Sequence, residues 1–324
     1  MALDRDCDVV GVTMRLGVDS AADDAVIEAA SRVARTLGIP HRVLDLSDAF
    51  ADRVVRPFIA SYLNGETPNP CVVCNDHVKF GLLLEAALED GASVLVTGHY
   101  ARVDATGPRP LLLRGLDPRK DQSYFLYRLL GERLQHIWFP LGDLLKSQVR
   151  QIAAARGLPS ADRSESQDIC FLGDSGIGQL FEERGISSRG GDIVDLAGHV
   201  LGPHDGVWRF TVGQRKGIGI GGGPPLYVVA IDADRARVIV GPAEACRVRE
   251  AHARDVVWDG PETQSRVQAQ IRYRAEPAFG VARVDDTTLI VRFDEDVSGV
   301  AFGQSLVCYE GDRVLGGGYL TGVS

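Results

Sequence analysis

DVVGVTMRLGVDSAADDAVIEAASRVARTLGIPHRVLDL, Asp8 to Leu46, is the stretch that decides the fold. Its first residues, Asp8 to Met14, form an almost uninterrupted apolar run that reads as a buried strand. Val26, Ile27, Ala30, Val33, Ala34 and Leu37 then recur at helical spacing, and Gly38 stands where the helix should stop. A second short strand, HRVLDL, starts at His41. Two strands joined through a helix call for a crossover, and a crossover makes the strands parallel.

The alternation continues outward. Ser47 is a good N-cap for a helix with Phe50, Val54, Val55, Phe58 and Ile59 on one face. In TPNPCVVCNDHVKF, Thr67 to Phe80, Asn75 is expected to cap another helix that ends near Gly91. SVLVT, Ser93 to Thr97, reads as another buried strand, and helical patterns follow over 121–130 and over 142–156, with Gly157 as the stop. From about residue 190 the pattern becomes short β-rich runs with Gly-rich turns, which predicts an all-β tail built as a small barrel.

The chain's 324 residues suggest two or three domains. Hydrophobic content of 45% and charged content of 24% are ordinary for a globular protein. No run approaches the roughly 18 apolar residues of a membrane span, and no basic segment leads into a long apolar core at the start. Six cysteines are too sparse for a disulfide scaffold, so the cytoplasm is the expected location. A net charge of -9 argues against a general nucleic-acid coat protein but leaves room for a local basic groove.

Cys71 and Cys74 sit on a Pro-containing turn at an expected helix N-terminus, where the dipole and free N–H groups should favour thiolate. The same pair with His77 could be half a zinc site, but Cys7, Cys170, Cys246 and Cys308 are all isolated in sequence. Cys170 lies in SESQDICFLG. Between Ile169 and Phe171 it could be a packed core thiol, whereas the polar lead-in Ser166, Gln167 and Asp168 suggests a loop reaching a site. In TGHYAR, Gly98 and His99 follow a strand of the parallel sheet, where ligands of open sheets bind. Lys120, Asp121 and Gln122 in RKDQSYFLY stand beside aromatics, as a site or as a solvated helix start.

Taken in order, TPNPCVVCN with KFG, TGHYAR, KDQSYFL, SQDICF, FTVGQRKGIGIGGG, QIRYR and LGGGYLTG resemble the tRNA-specific 2-thiouridylases over nearly the whole chain. The resemblance implies a parallel-sheet nucleotide-binding-like domain over 1–137, with the Cys170 loop returning to it. An adaptor region over 138–207 and a β-barrel-like, tRNA-contacting domain over 208–324 would follow. It implies sulfur transfer to C2 of the wobble uridine of tRNA, with ATP and Mg2+ adenylating the base. The sulfur would arrive as a cysteine persulfide from a relay protein or cysteine desulfurase. Cys170 matches the persulfide carrier and Cys74 its nucleophilic partner, the two closing a disulfide on turnover. Asn69, Pro70 and Cys71 match the wall of the pocket for the flipped-out base, although some members carry Asp at the position of Cys71. His99, Lys120, Asp121, Gln122, Arg272, Tyr273 and Gln304 match tRNA-contacting positions, and Met14 and Gly98 match positions that touch the nucleotide.

The resemblance has one departure. The family's first strand leads into an SGGVDSS loop whose amides cradle the ATP pyrophosphate, and DVVGVTM resembles the family's second strand. Gly17 to Ser20, GVDS, imitates that loop, but Arg15 and Leu16 stand where it needs Ser and Gly. A tRNA-binding or sulfur-carrying homologue without ATP activation is therefore a second reading, and a zinc-stabilised structural module a third. An unpaired strand edge is expected at DVVGVTM or SVLVT. The 324-residue chain is expected to bind ATP far more weakly than a member with the loop. Titration calorimetry with ATP and magnesium checks this, and micromolar binding would make Gly17–Ser20 a working phosphate loop.

Overall fold

A computed structural model describes residues 1–158, 169–172, 176–187, 189–261, 264–273, 275–285 and 287–324. They divide into two compact units, one of 1–56 with 70–176 and one of 57–69 with 177–324.

The first unit opens with the expected crossover. Strands β1 (Gly11–Arg15) and β2 (His41–Asp45) pair in parallel, and helix α1 (Ser20–Leu37) joins them. Gly38 ends α1 in the left-handed conformation at φ 67°, returning its N–H to Ala34 O, a conformation that costs glycine little. His41 ties the three elements together, with Nε2 2.8 Å from Thr13 Oγ1 on β1 and Nδ1 2.9 Å from Ser31 Oγ on α1.

The next helices are less regular than the sequence pattern predicts. Helix α2 (Ser47–Phe50) runs through a π-helical stretch (Ala51–Val55) into α3 (Arg56–Leu63). Helix α4 (Pro70–Val73) likewise continues as a π-helix (Cys74–Leu82) and then as α5 (Leu83–Glu89). The helix thus begins at Pro70, not at Asn75. Proline suits a first helical position, where its missing N–H would have no intrahelical partner. Asn75 is buried inside the helix instead, its Nδ2 donating to Phe125 O at 3.1 Å.

Strand β3 (Leu95–Val96) is shorter than SVLVT suggests. The hairpin β4 (Ala101–Asp104) and β5 (Leu111–Arg114) follows, then helix α6 (Ser123–Leu126), strand β6 (Ile137–Trp138) and helix α7 (Lys146–Ala155). Strand β6 pairs in parallel with β3. Among the described residues, β1–β2 and β3–β6 are separate two-stranded sheets, so β1 and β3 both keep the expected unpaired edge. Val12 and Val96 on these strands are 39% and 42% exposed. Parallel strands are normally covered on both faces, and this part of the unit is covered sparsely.

What fixes the long helix is ionic. Asp76 is buried, and its carboxylate accepts from Arg128 Nε at 2.7 Å and Arg133 Nη2 at 2.9 Å. Arg133 also donates to the carbonyls of Asp76 and Arg128. Burial alone would raise the Asp76 carboxyl; the two guanidiniums outweigh it and hold it below the usual range.

The second unit carries the all-β tail, which forms two sheets where the sequence suggests one barrel. After helix α8 (Gly176–Glu183), strands β7 (Gly191–Val194), β8 (Val200–His204), β9 (Tyr227–Asp232) and β10 (Arg237–Gly241) form a four-stranded sheet in the order β8-β7-β10-β9. Ile193, Val228, Val238 and Val240 form its core with Phe210.

Strands β11 (Arg247–Trp258), β12 (Ser265–Gln270), β13 (Ala278–Asp285), β14 (Thr288–Ser298), β15 (Ser305–Glu310) and β16 (Arg313–Val323) run β11-β14-β13-β12-β15-β16. Strand β16 returns to pair with β11, so the antiparallel sheet closes into a barrel. The LGGGYLTG motif supplies that seam. A Cβ on Gly316, at φ 137°, would lie 2.1 Å from Val257 O, and one on Gly318 2.5 Å from Arg254 O. No side chain fits at either position, and closure removes the free edges of a sheet.

Replacing Asp76 by Asn should leave two arginines without their shared charge and cost about 3 kcal/mol. Urea unfolding should show the lowered midpoint, whereas Asp4→Asn, at the exposed pair with Arg156, should leave the midpoint nearly unchanged.

Candidate active site

The start of the long helix carries two thiols, Cys71 in its first turn and Cys74 just beyond it. Cys71 is half-buried and Cys74 is buried. The expectation that the helix N-terminus favours thiolate is overturned at Cys74. Loss of solvent pushes its thiol up to about 11, against a partial pull downward from Lys79. The magnitudes explain the outcome. A helix terminus contributes about 0.3–1 kcal/mol, whereas a rise of about two pKa units corresponds to about 3 kcal/mol. Burial also raises the Cys71 thiol, with Lys79 again pulling it down.

Cys170 belongs to the same neighbourhood. It is exposed on a short turn closed by Leu172 N–H donating to Ile169 O at 3.0 Å. Phe171 is buried edge-on against Phe50, with ring centroids 5.8 Å apart, and so anchors the turn. Charges on Cys170 and Cys74 would repel each other, and Lys79 acts on both. Burial is nonetheless the largest influence on the Cys170 thiol and raises it. Ser166, Gln167 and Asp168, the polar lead-in, lie outside the described residues. All six cysteines are free thiols. His77 is exposed while Cys74 is buried, and among the described residues no three His, Cys, Asp or Glu side chains are placed to hold a metal ion.

His99 sits in an aromatic frame, its ring centroid 5.5 Å from Phe80 and 5.8 Å from Phe139. Its Nδ1 is 2.8 Å from Thr97 Oγ1. Desolvation and then the nearby Lys79 charge lower its pKa to about 3. The imidazole is therefore neutral near pH 7, and its chemistry is stacking or hydrogen bonding, not phosphate pairing. Gly98 before it is exposed just beyond the carboxyl end of β3, and Met14 is half-buried near the carboxyl end of β1, opposite Leu44.

Two residues of the KDQ cluster are committed to the structure. The Asp121 carboxylate accepts from Gly115 N, Ser123 N, Ser123 Oγ and Arg114 Nη1 at 2.9–3.2 Å, which fills its acceptor sites. Gln122 pairs with the Tyr100 backbone, its Oε1 accepting from Tyr100 N at 3.0 Å and its N–H donating to Tyr100 O at 2.8 Å. These two therefore hold the segment that presents half-buried Lys120 and frames His99.

The remaining positions belong to the second unit. Asn69 directly precedes Pro70 and clusters with that unit. Gln304 Nε2 donates to Thr67 O at 2.8 Å, fixing the approach to the TPNPC motif. Arg272 is exposed, its guanidinium occupying space that any side chain at Gly299 would fill, and Tyr273 beside it is half-buried. Arg215 and Lys216 are exposed, and Arg215 borders a cleft of about 240 Å³ with Ile218, Pro224 and Leu226.

Gly17–Ser20 forms a capped helix start. Asp19 accepts from Ala21 N at 2.8 Å and from Ala22 N at 3.3 Å, and Gly17 N donates to Asp23 Oδ2 at 2.7 Å. The amides that a phosphate would need are taken by two carboxylates, which would also repel it. Sequence reasoning had missed Lys79, Phe80 and Phe139. The first two lay inside the quoted KFG motif, but their role depends on helix register that the sequence did not show.

Three family comparisons match consecutive stretches. Residues 3–174 match the tRNA methyl transferase HUP domain, 179–242 the tRNA methyl transferase PRC-barrel domain, and 248–320 the aminomethyltransferase beta-barrel domain. The chain is 47% identical over 299 residues to the tRNA-specific 2-thiouridylase MnmA of Geobacter metallireducens, covering 91% of this chain and 81% of that protein. To the proteins of that name in Brucella suis and Brucella ovis it is 44% and 43% identical over 333 residues, covering 97% of this chain and 84% of each. The architecture is thus a HUP-type nucleotide-binding domain with parallel strands, a PRC-barrel and a closed antiparallel β-barrel.

Acidification gives a direct check on the His99 environment. An unfolded chain protonates this histidine below about pH 6.5, whereas the folded chain resists until about 3. Stability therefore falls as pH drops through that window, by up to about 2 kcal/mol at pH 5. Urea unfolding at pH 7.5 and 5 should show a smaller acid loss in His99→Asn than in the parent.

Proposed function

The chain belongs to the tRNA-specific 2-thiouridylases, and we propose that it is a sulfurtransferase that places sulfur on C2 of the wobble uridine of tRNA in the cytoplasm. What supports this reading is that Cys74, at a helix start, and Cys170, ninety-six residues later on a turn anchored by Phe171 against Phe50, are close enough for a charge on Cys170 to act on Cys74 and for Lys79 to act on both.

ATP, with Mg2+, supplies the activation that turns the C2 oxygen into a leaving group. Met14 and Gly98, at strand carboxyl ends, suit contacts to the nucleoside part. The Gly17–Ser20 turn does not suit the phosphates, and no step is assigned to it. Cys170 holds a persulfide received from a relay protein or cysteine desulfurase. Its terminal sulfur bonds to C2 as the activated oxygen departs. The Cys74 thiolate then attacks the sulfur still attached to Cys170. The persulfide S–S bond breaks, its electron pair stays with the sulfur now on C2, and a Cys74–Cys170 disulfide forms. Two thiols have been oxidised, so an external dithiol must reduce the disulfide before the next turnover.

Pro70 gives the helix that carries Cys71 a rigid start and Gln122 is held on Tyr100 by two hydrogen bonds; Asn69, Pro70 and Cys71 are the proposed contacts to the target base. The neutral His99 offers a ring edge or face to a base. Lys120, Arg215, Lys216, Arg272, Tyr273 and Gln304 are the proposed contacts to tRNA, and Gln304 also holds the Thr67 backbone. A tRNA-binding homologue without ATP activation is the second reading, favoured by the carboxylates in the Gly17–Ser20 turn.

In the protein at the length its gene encodes, Cys74→Ser and Cys170→Ser should each abolish 2-thiouridine formation, measured by nucleoside mass spectrometry. Cys246→Ala and Cys308→Ala, both buried in the second unit, should retain it; activity in either of the first two variants would refute the pairing. Affinity for tRNA should fall with added salt, and Arg272→Ala should weaken it and lower the salt slope by about one ion.

A further inference from the structure

The change from α- to π-helix at Cys74 has a consequence for Lys79. In an α-helix, residue i+5 lies about 140° around the axis from residue i. A π-helix is wider and bonds i to i+5, and that pattern is present here, where Leu83 N–H donates to Val78 O. The side chain five positions on thus comes back beneath the first. Lys79 stands five residues after Cys74, inside the π-helical stretch Cys74–Leu82.

Lys79 is half-buried, and no ion pair holds it among the described residues. The acid three residues before it, Asp76, is taken by Arg128 and Arg133. A partly desolvated ammonium with no carboxylate costs stability, and such departures from local rules concentrate at functional sites. Its charge reaches Cys71, Cys74, Cys170 and His99, in each case favouring the less protonated form. The charged or titratable groups that bear on Cys74 are Lys79, Cys71 and Cys170; Cys170 is opposed in addition by Asp23.

We propose that Lys79 is a positioning residue for the thiol chemistry: carried beneath Cys74 by the π-helical turn, its ammonium is the counter-charge for the thiolate that Cys74 must become. This rests on the reading of Cys74 as the attacking thiol. Burial resists ionisation of that thiol, and the two arginines nearby are spent on Asp76. Among the described residues Lys79 is the cation that opposes burial at Cys74, and it acts on the Cys170 sulfur in the same way.

Alkylation of Cys74 by iodoacetamide as a function of pH tests the proposal without ATP or tRNA. In a chain with Cys7, Cys71 and Cys170 replaced by Ser, modification is located by peptide mass spectrometry, and circular dichroism checks folding. Lys79→Met should raise the midpoint of the pH–rate profile by about one unit and slow alkylation at neutral pH roughly tenfold. Lys79→Arg should restore the parent profile. If Lys79→Met unfolds the chain, Lys79→Gln takes its place in the same comparison. Superimposable profiles for the folded variants would overturn the role of Lys79 and leave the sulfur pair standing. A shifted profile together with undiminished thiolation by Cys74→Ser would keep the electrostatic effect and sink the function it was assigned to serve.

Discussion

The buried carboxylate of Asp76, held between Arg128 and Arg133, is the interaction on which the site depends. It ties the helix that runs from Pro70 to Glu89 to the segment after α6. Buried ion pairs are poor sources of net stability but severe when broken, which makes them good at fixing register. Here the register fixed is that of Cys71, Cys74 and Lys79. With Asp76 satisfied, Lys79 is left to act on the thiols.

The thiols then face a conflict between packing and ionisation. Packing around the helix start excludes water from Cys74, and that burial pushes its thiol up to about 11. The helix terminus is too weak to reverse this. A single half-buried ammonium nearby is of the right size, because Coulomb interactions strengthen as water is excluded. Placing Lys79 there needs the π-helical turn, which explains a backbone irregularity that costs regular hydrogen bonding. His99 experiences the same surroundings with the opposite result: burial and the ammonium both keep it neutral.

Much of the architecture was legible because it rests on local patterns. Strand–helix–strand alternation from Asp8 to Leu46 gave the parallel crossover, and Gly38 marked the end of α1 as read. The β-rich tail was also plain from residue 190 onward, but not its division into two sheets, since strand pairing is set by long-range register. The sequence pattern places the start of the long helix at Asn75, whereas Pro70 opens it, because a proline suits a turn and a first helical position alike. Burial of Cys74 is not legible in its sequence neighbours, and desolvation outweighs the helix dipole there. Asp121 and Gln122 were picked out as site residues, and the structure commits both to internal hydrogen bonds. The motifs mark segments, and side-chain hydrogen bonding, which depends on the folded backbone, is not legible in them.

The central claim is that Cys74 and Cys170 form one sulfur-transfer pair. The most direct measurement is peptide mapping of the protein, at the length its gene encodes, quenched after one turnover with persulfide-loaded enzyme, ATP and tRNA. The account predicts a Cys74–Cys170 disulfide in an amount equal to the 2-thiouridine formed, with Cys71 still a free thiol. Thiouridine formed while both Cys74 and Cys170 remain unlinked, or a Cys71–Cys170 bridge in their place, would contradict it.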